Sequence, residues 1–508
     1  MKLSSCCLAA LLLFSISNTK AYPKSKKTTH LYTSHYENVL GTSMELKIYA
    51  TSSQEASNAE TAALDEISRM SKILSAYDAN SEFSKWLKTS QQPEHVSAEL
   101  FEVLSLFDQW KTRTGGALDA SAEVITKLWK QSAAKQRTPT TEELSDAVTA
   151  TQQPHWALDA SKQTATHLSN APLVLNSFAK SYIIKHAADA ALASGNVNAI
   201  VVNIGGDLVV FGDLKETVKI SNPKNDAENE TPMDQLIVSN KAVATSGNYR
   251  RGELINGHWY SHIVDPRTGI PADNIISATV VAPNATDAGA LATAFNVMSP
   301  AESIKLASTV PGAEYLIITR DGERIASKGW AALEKPVKAK NNIISVKEKT
   351  TPGWKDDFEL VVNLEVNLQK QGFVKRPYVA VWVEDENHAA VRTIALWHER
   401  DRYLPELKSW FLKYRGLYTT DNSIFSTVSS ATRSAGKYTV KWDGKDDKGN
   451  VLKPGKYIIK IEAAREHGTY QLMRQEIDCD GTPKQFNLTG NIEISAASID
   501  YRKKTGSN

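Results

Sequence analysis

The chain is poor in cysteine: three in 508 residues. Three thiols cannot form a disulfide framework, so the fold must rest on a hydrophobic core. It also lacks an excess of charge of either sign. Its 59 basic and 57 acidic side chains leave a formal charge of +2, which gives no electrostatic footprint for nucleic acid. No long apolar run beyond the first twenty or so residues could cross a bilayer, so no stable transmembrane segment is expected. Neither a Walker loop nor a G-x-G-x-x-G follows a strand, and there is no G-x-S-x-G elbow. Trp397-His398-Glu399 starts like a zincin helix, but Arg402 stands where the second ligand belongs. Asp443–Pro454 has Pro454 where a calcium loop needs a bidentate Glu.

What is present is an ordinary globular composition, 41% apolar and 23% charged, too apolar for a disordered chain. At about 150 residues per domain the length suggests about three domains. Residues 1–21 read as a signal peptide: Lys2, an apolar run from Cys6 to about Ile16, and small residues at Thr19 and Ala21 before Tyr22. Its removal would take away Lys2, Lys20, Cys6 and Cys7. That would balance the charges at 57 each and leave Cys479 as the single thiol. The chain is therefore expected to be exported.

Residues 22–334 mix helix and strand signals. Ala59, Ala63, Ile67, Met70, Leu74 and Tyr77 recur at three- and four-residue steps and predict a helix over Glu55–Tyr77. Gly41–Ala50 alternates as a strand, Asn198–Phe211 reads as strand, glycine turn, strand, and Ile276–Ala282 is another strand. Asp287 to about Met298 reads as a helix. Residues 335–353 are lysine-rich and read as a linker. Residues 354–508 turn strongly β, with runs at Phe358, Tyr378, Val391, Tyr438 and Lys456 and turn chemistry over Trp442–Asn450. They predict an all-β sandwich, and the turn around Trp442–Gly455 resembles that of an immunoglobulin-like bacterial β-domain.

The densest chemistry lies between residues 40 and 300. Gly205-Gly206-Asp207 would let backbone N–H groups approach an anion. Ala244–Tyr249 offers Thr245 and Ser246 beside a glycine. Ser261–Gly269 packs His262, Asp265 and Arg267 into six residues, on a strand running into a Pro/Gly turn. A histidine can act as a base near neutral pH, and an arginine can clamp a phosphate.

These pieces, together with Gly41-Thr42, Leu74–Tyr77, Ser81-Glu82, Gly116–Asp119, Leu128-Trp129, Ala179-Lys180, Asn203–Asp207, Pro271 and Ala290–Ala294, appear in one order over about Leu31–Ser327. In wording and order they resemble the FAD:protein FMN transferase (ApbE) family. The β-rich remainder resembles a periplasmic domain of unknown function found fused behind such transferases. The resemblance implies an α+β, T-fold-like flavin-transferase domain that takes FAD as substrate. Such enzymes split the pyrophosphate with the help of Mg2+, place FMN on a Ser or Thr of an acceptor protein, and release AMP. The expected acceptor is a periplasmic flavoprotein or a subunit of a membrane complex.

Carried over by position, His262 would activate the acceptor hydroxyl, with Asp265 and Arg267 beside it. Leu40, Tyr77, Ala117, Leu118, Asp119, Lys180, Gly205, Gly206, Asp207, Ser246 and Ile263 would line the FAD site. The Ser177 carbonyl and the Thr293 hydroxyl would face the metal. Other positions depart from the family pattern. Gly289 stands where the family has an Asp one helical turn before Thr293, and Asp287 is about 240° around the helix from Thr293, so it is expected in the first turn or cap. Val174 replaces an acid, Asn176 and Ser181 replace glycines, and Lys185 replaces an Asp. The acid missing at Gly289 is expected to weaken Mg2+, and Gly289→Asp is expected to raise Mg2+-dependent turnover. Lys185 is expected as a surface lysine; the alternative is a fixed charge near the phosphates. The competing reading of the whole chain is a catalytically impaired relative that binds flavin or a partner.

Overall fold

The computed structural model describes residues 28–223, 232–248, 251–335, 354, 357–367, 376–398, 401–420, 429–430, 432–465 and 469–504. The expected leader lies outside these residues. So do Tyr249, Glu399 and all of the expected linker except Lys335.

An eight-stranded antiparallel sheet organises the first region. Its strands are β1 (His30–Val39), β2 (Thr42–Ala50), β3 (Val197–Ile204), β4 (Asp207–Gly212), β5 (Lys241–Gly247), β6 (Ile275–Ala282), β7 (Glu314–Thr319) and β8 (Arg324–Ala326), lying side by side in chain order. The helices fall mostly in the long excursion between β2 and β3: α1 (Ser53–Leu74), α2 (Ala98–Arg113), α3 (Glu123–Ala134), α4 (Thr141–Gln152) and α5 (Ala179–Ala193). Helix α6 (Ala285–Val297) follows β6. One sheet face buries Met44, Leu46, Ile48, Ile200, Val202 and Val280 against α1, α5 and α6. The other face buries Val201, Val210, Val243 and Val281 under a small two-stranded sheet and Trp330. In β2 Met44, Leu46, Ile48 and Ala50 alternate with half-buried neighbours because one face meets the core, while β3 is continuously apolar over 199–202 because both of its faces are covered.

The predicted helix over Glu55–Tyr77 stops at Leu74. Ser75 takes an extended conformation, and its hydroxyl accepts from the N–H groups of Tyr77 and Asp78, both at 3.1 Å. That local bond replaces another helical turn and leaves Tyr77 outside the helix, 79% exposed. The strand expected to carry His262 ends at Ser261, so the histidine begins the following loop.

The second region is β-rich, as expected. One sheet has the order β12 (Gly436–Trp442), β9 (Phe358–Val366), β16 (Ile494–Lys503), β15 (Lys484–Leu488). The other contains β11 (Ala390–Trp397), β10 (Tyr378–Asp385), β13 (Lys456–Ala464) and β14 (Tyr470–Asp478), with Ser429–Ser430 at its edge. Their facing sides bury Leu360, Val362, Val381, Ile459, Ile461 and Ile499. The sandwich expectation did not include helix α7 (Lys408–Thr420), which covers the outer face of the second sheet through Trp410 and Tyr414. The buried Glu462 carboxylate accepts from the first-turn N–H groups of Ser409 and Trp410 at 2.7 and 2.8 Å, so it caps that helix from the sheet.

Candidate active site at the end of the sheet

Two glycine-bearing turns meet at one end of the large sheet. Leu40 (φ 50°) and Gly41 (φ 76°) join β1 to β2; Gly205 (φ 57°) and Gly206 (φ 92°) join β3 to β4. The register Met44↔Ile204 puts them side by side, and the Gly205 N–H donates to the Ser43 carbonyl at 2.9 Å. A Cβ on Gly205 would lie 2.7 Å from the Thr42 methyl, so glycine is required there by contact as well as by φ. Leu40 holds a left-handed conformation that a branched residue rarely adopts. The Asn203 side chain accepts from the Gly206 N–H at 3.1 Å and fixes the second turn.

Asp207 starts β4 and is almost fully buried. Its carboxylate meets the Lys180 ammonium at 3.1 Å, the Ser181 hydroxyl at 3.3 Å and the Thr245 N–H at 3.4 Å. Burial pushes its pKa up, against the pull of Lys180. Lys180 and Ser181 lie in the first turn of α5, whose N-cap, Phe178, makes no side-chain capping bond. That end of the helix is electropositive and suited to an anion.

The segment before α5 ties several positions together. The Val174 N–H donates to the Ala120 carbonyl at 3.0 Å, and the Asn176 amide donates to the Tyr77 phenol at 2.6 Å. The Thr293 hydroxyl on α6 donates to the Ser177 carbonyl at 2.9 Å. One turn later, Asn296 donates to the Ser246 carbonyl at 2.9 Å. Ala117 and Leu118 are buried, and the Leu118 N–H is held by Thr114 at 3.1 Å. Asp119 pairs with Lys111 at 2.6 Å beside a cavity of about 240 Å3 that His155 and Trp156 also line. A larger groove of about 610 Å3, lined by Lys72, Lys85, Trp86 and His95 among others, contains none of the predicted site residues.

His262 begins the loop after the exposed hairpin Gly252–Ile255/His258–Ser261. Its Nδ1 lies 3.0 Å from the Arg251 carbonyl. A carbonyl only accepts, so Nδ1 carries the hydrogen and Nε2 keeps its lone pair in the neutral ring. Loss of hydration lowers the His262 pKa from its ordinary 6.5. Asp265 and Arg267 engage each other: Nε to Oδ1 at 2.9 Å and a terminal nitrogen to Oδ2 at 2.8 Å. The other terminal nitrogen reaches Glu302 at 3.0 Å. The guanidinium is thus held within the loop by two carboxylates. Trp129 donates to the Gly269 carbonyl at 2.8 Å and Thr151 to the Pro266 carbonyl at 3.1 Å, which fixes the loop on α3 and α4. Ile263 is joined to the end of β5 through Ala272, whose N–H donates to Ile263 and whose carbonyl accepts from Asn248.

Short contacts thus link Gly205–Asp207, Lys180, Ser177, Thr293, Ser246 and Tyr77 around the turns and the start of α5, with Leu40 in the neighbouring turn, while His262–Arg267 form a loop; Ala117, Leu118 and Asp119 belong to neither set of contacts. Gly116 touches the loop, since a Cβ there would lie 3.7 Å from Arg267. Lys111, Asn176, Asn203, Glu302 and Asn296 were not among the predicted site residues, although Asn203 lies in a stretch and Asn176 at a departure that the sequence singles out. Asp287 sits in the first turn of α6, as expected, while Asn284 supplies the cap. Lys185 pairs with Asp189 one turn along α5 at 2.6 Å.

Magnesium is usually held by one or two carboxylates together with neutral oxygens, water and substrate phosphates. The Ser177 carbonyl and Thr293 hydroxyl are neutral and bonded to each other, Gly289 offers no side chain, and Asp287 lies in the first turn near Arg113. Among the described residues no three acidic, His or Cys side chains gather as a metal site. The residues present do not fit a protein-held magnesium ion.

Glycine turns, a helix N-terminus without a side-chain cap and a lysine thus gather at one end of an α+β domain. The family model described as the ApbE family matches residues 40–317, more than half of the chain, and the chain belongs to that family. A second model, described as a predicted periplasmic protein of the DUF2271 type, matches residues 359–496. The chain is 29% identical over 278 residues to the FAD:protein FMN transferase of Haemophilus influenzae, covering 53% of this chain and 80% of that one. It is 25% identical to the protein of the same name from Escherichia coli K12, covering 64% and 93%. The crystal structure of the ApbE protein from Thermotoga maritima matches with a TM-score of 0.54 and 26% identity, covering 60% of this chain and all of that one.

Proposed function

We propose that this protein is an exported FAD:protein FMN transferase. The observation that carries the reading is the His262 tautomer: with Nδ1–H bound to the Arg251 carbonyl, Nε2 is free to accept a proton. The relatives' shared name supplies the reaction class. Export is supported by the leader pattern of residues 1–21 and by the periplasmic description of the second matched domain. Among the described residues no helix is long and apolar enough to cross a membrane, a statement that does not touch β-barrels. We take residues 22–334 as the transferase domain, 335–353 as a linker and 354–508 as the second domain.

The acceptor is a protein bearing a Ser or Thr. Its hydroxyl oxygen attacks the phosphorus on the FMN side of FAD; an O–P bond forms and the pyrophosphate P–O bond breaks. The hydroxyl proton passes to Nε2 of His262, and AMP leaves with the bonding pair. Lys180 and the N-terminus of α5 offset phosphate charge, while Tyr77, steadied by Asn176, offers an exposed ring to a flavin or adenine face. Asp265 and Arg267 hold the loop that carries His262.

One observation favours a second reading, a flavin- or partner-binding module: the side-chain-free position at Gly289 beside Ser177 and Thr293. Incubating the full chain with FAD, Mg2+ and candidate acceptor proteins separates the two. The transferase reading expects AMP and covalent flavin on the acceptor; FAD bound tightly without either product at any Mg2+ level would contradict it.

A further inference from the structure

The α5–α6 contact bears directly on what a side chain at Gly289 would meet. Gly289 is buried on α6, facing the first turn of α5. A Cβ at this position would lie 2.4 Å from Ser181 Oγ, 3.0 Å from Ser181 Cβ and 3.4 Å from Phe178 Cβ. Turning the hydroxyl away relieves the first contact. The second is set by the helix backbone and remains tighter than ordinary packing. Ser181 in turn is 3% exposed, and its hydroxyl reaches the Asp207 carboxylate that pairs with Lys180. A serine on one helix and the absence of a side chain on the other are two halves of one fit.

We propose that Ser181 and Gly289 are a swapped pair: the serine occupies the space a side chain on α6 would need, so the charge at the phosphate end comes from Lys180, held by Asp207, and no carboxylate from α6 reaches the Ser177–Thr293 oxygens to hold a divalent cation. The steric half of this proposal is independent of the transferase reading; only the word phosphate rests on it. A failure to bind FAD would therefore sink that reading while leaving the packing result to be judged by itself.

The test is a double-mutant cycle on the full chain, read by thermal unfolding. Gly289→Ala is expected to lower the midpoint by about 3–10 °C in the parent, and by clearly less in the Ser181→Gly background. Equal losses in both backgrounds would overturn the pairing. A second arm titrates MgCl2 calorimetrically without nucleotide. The parent is expected to show no saturable binding below about 1 mM, and the Ser181→Gly/Gly289→Asp double variant is expected to gain it. Saturable binding to the parent in that range, or a folded double variant with no gain, would overturn the claim about the cation.

Discussion

The Ser261–Gly269 loop and the α5–α6 junction both contribute to one end of the sheet, yet they are built in opposite ways. The loop is over-determined. Asp265 and Glu302 grip Arg267, Trp129 and Thr151 hold its carbonyls, and only His262 is left with a free ring nitrogen. The junction is a close helix contact in which a hydroxyl fills the space beside a bare glycine. The first arrangement fixes a proton acceptor in space. The second has no side chain at Gly289 and holds Lys180 against Asp207. Under the proposed function the loop supplies the general base and the junction the charge at the phosphates.

The largest expected effect sharpens this division. His262→Ala should slow AMP release by about 10²–10⁴-fold while FAD affinity, read by fluorescence quenching, stays within a few-fold. A loss of less than tenfold would break the division. Next, Trp129→Ala removes a buried ring and the bond to the Gly269 carbonyl. It should cost about 3–5 kcal/mol in urea unfolding, and a cost under about 1 kcal/mol would mean the loop is held by other contacts.

The pH dependence is a smaller effect with a definite sign. The His262 pKa is lowered, so the neutral ring is favoured in the folded protein and the base is available at neutral pH. AMP release should fall only as pH drops through a midpoint below 6.5. A midpoint at or above that value would contradict the assignment. The smallest effect concerns Lys185, whose partner is Asp189 on its own helix. Lys185→Ala should cost no more than about 0.3–0.5 kcal/mol and leave FAD affinity unchanged. A tenfold weaker FAD complex would put that lysine at the phosphates.

The sequence made some of this plain and hid the rest for physical reasons. Strand β2 was legible from its apolar alternation, β3, β4 and β6 from short β-branched apolar runs, and Gly205-Gly206 as the glycine break between two such runs. The end of α1 was misplaced, since apolar spacing continues to Tyr77 while the Ser75 hydroxyl stops the helix three residues earlier. Helix α7 was missed because it lies on a sheet face within a β-rich stretch, and its cap, Glu462, comes from a distant strand. Ser181 and Gly289 were each visible as departures, but that one explains the other depends on a distance between two helices, which no spacing in the chain records.

The central claim is that the loop half of this site still carries phosphoryl transfer. The direct measurement is product stoichiometry when the full chain is incubated with FAD, Mg2+ and an acceptor protein, followed by chromatography for AMP and mass spectrometry of the acceptor. The account predicts one AMP for each flavin attached, with both lost in His262→Ala. Saturating FAD binding with neither product, or unchanged product formation in His262→Ala, would contradict it.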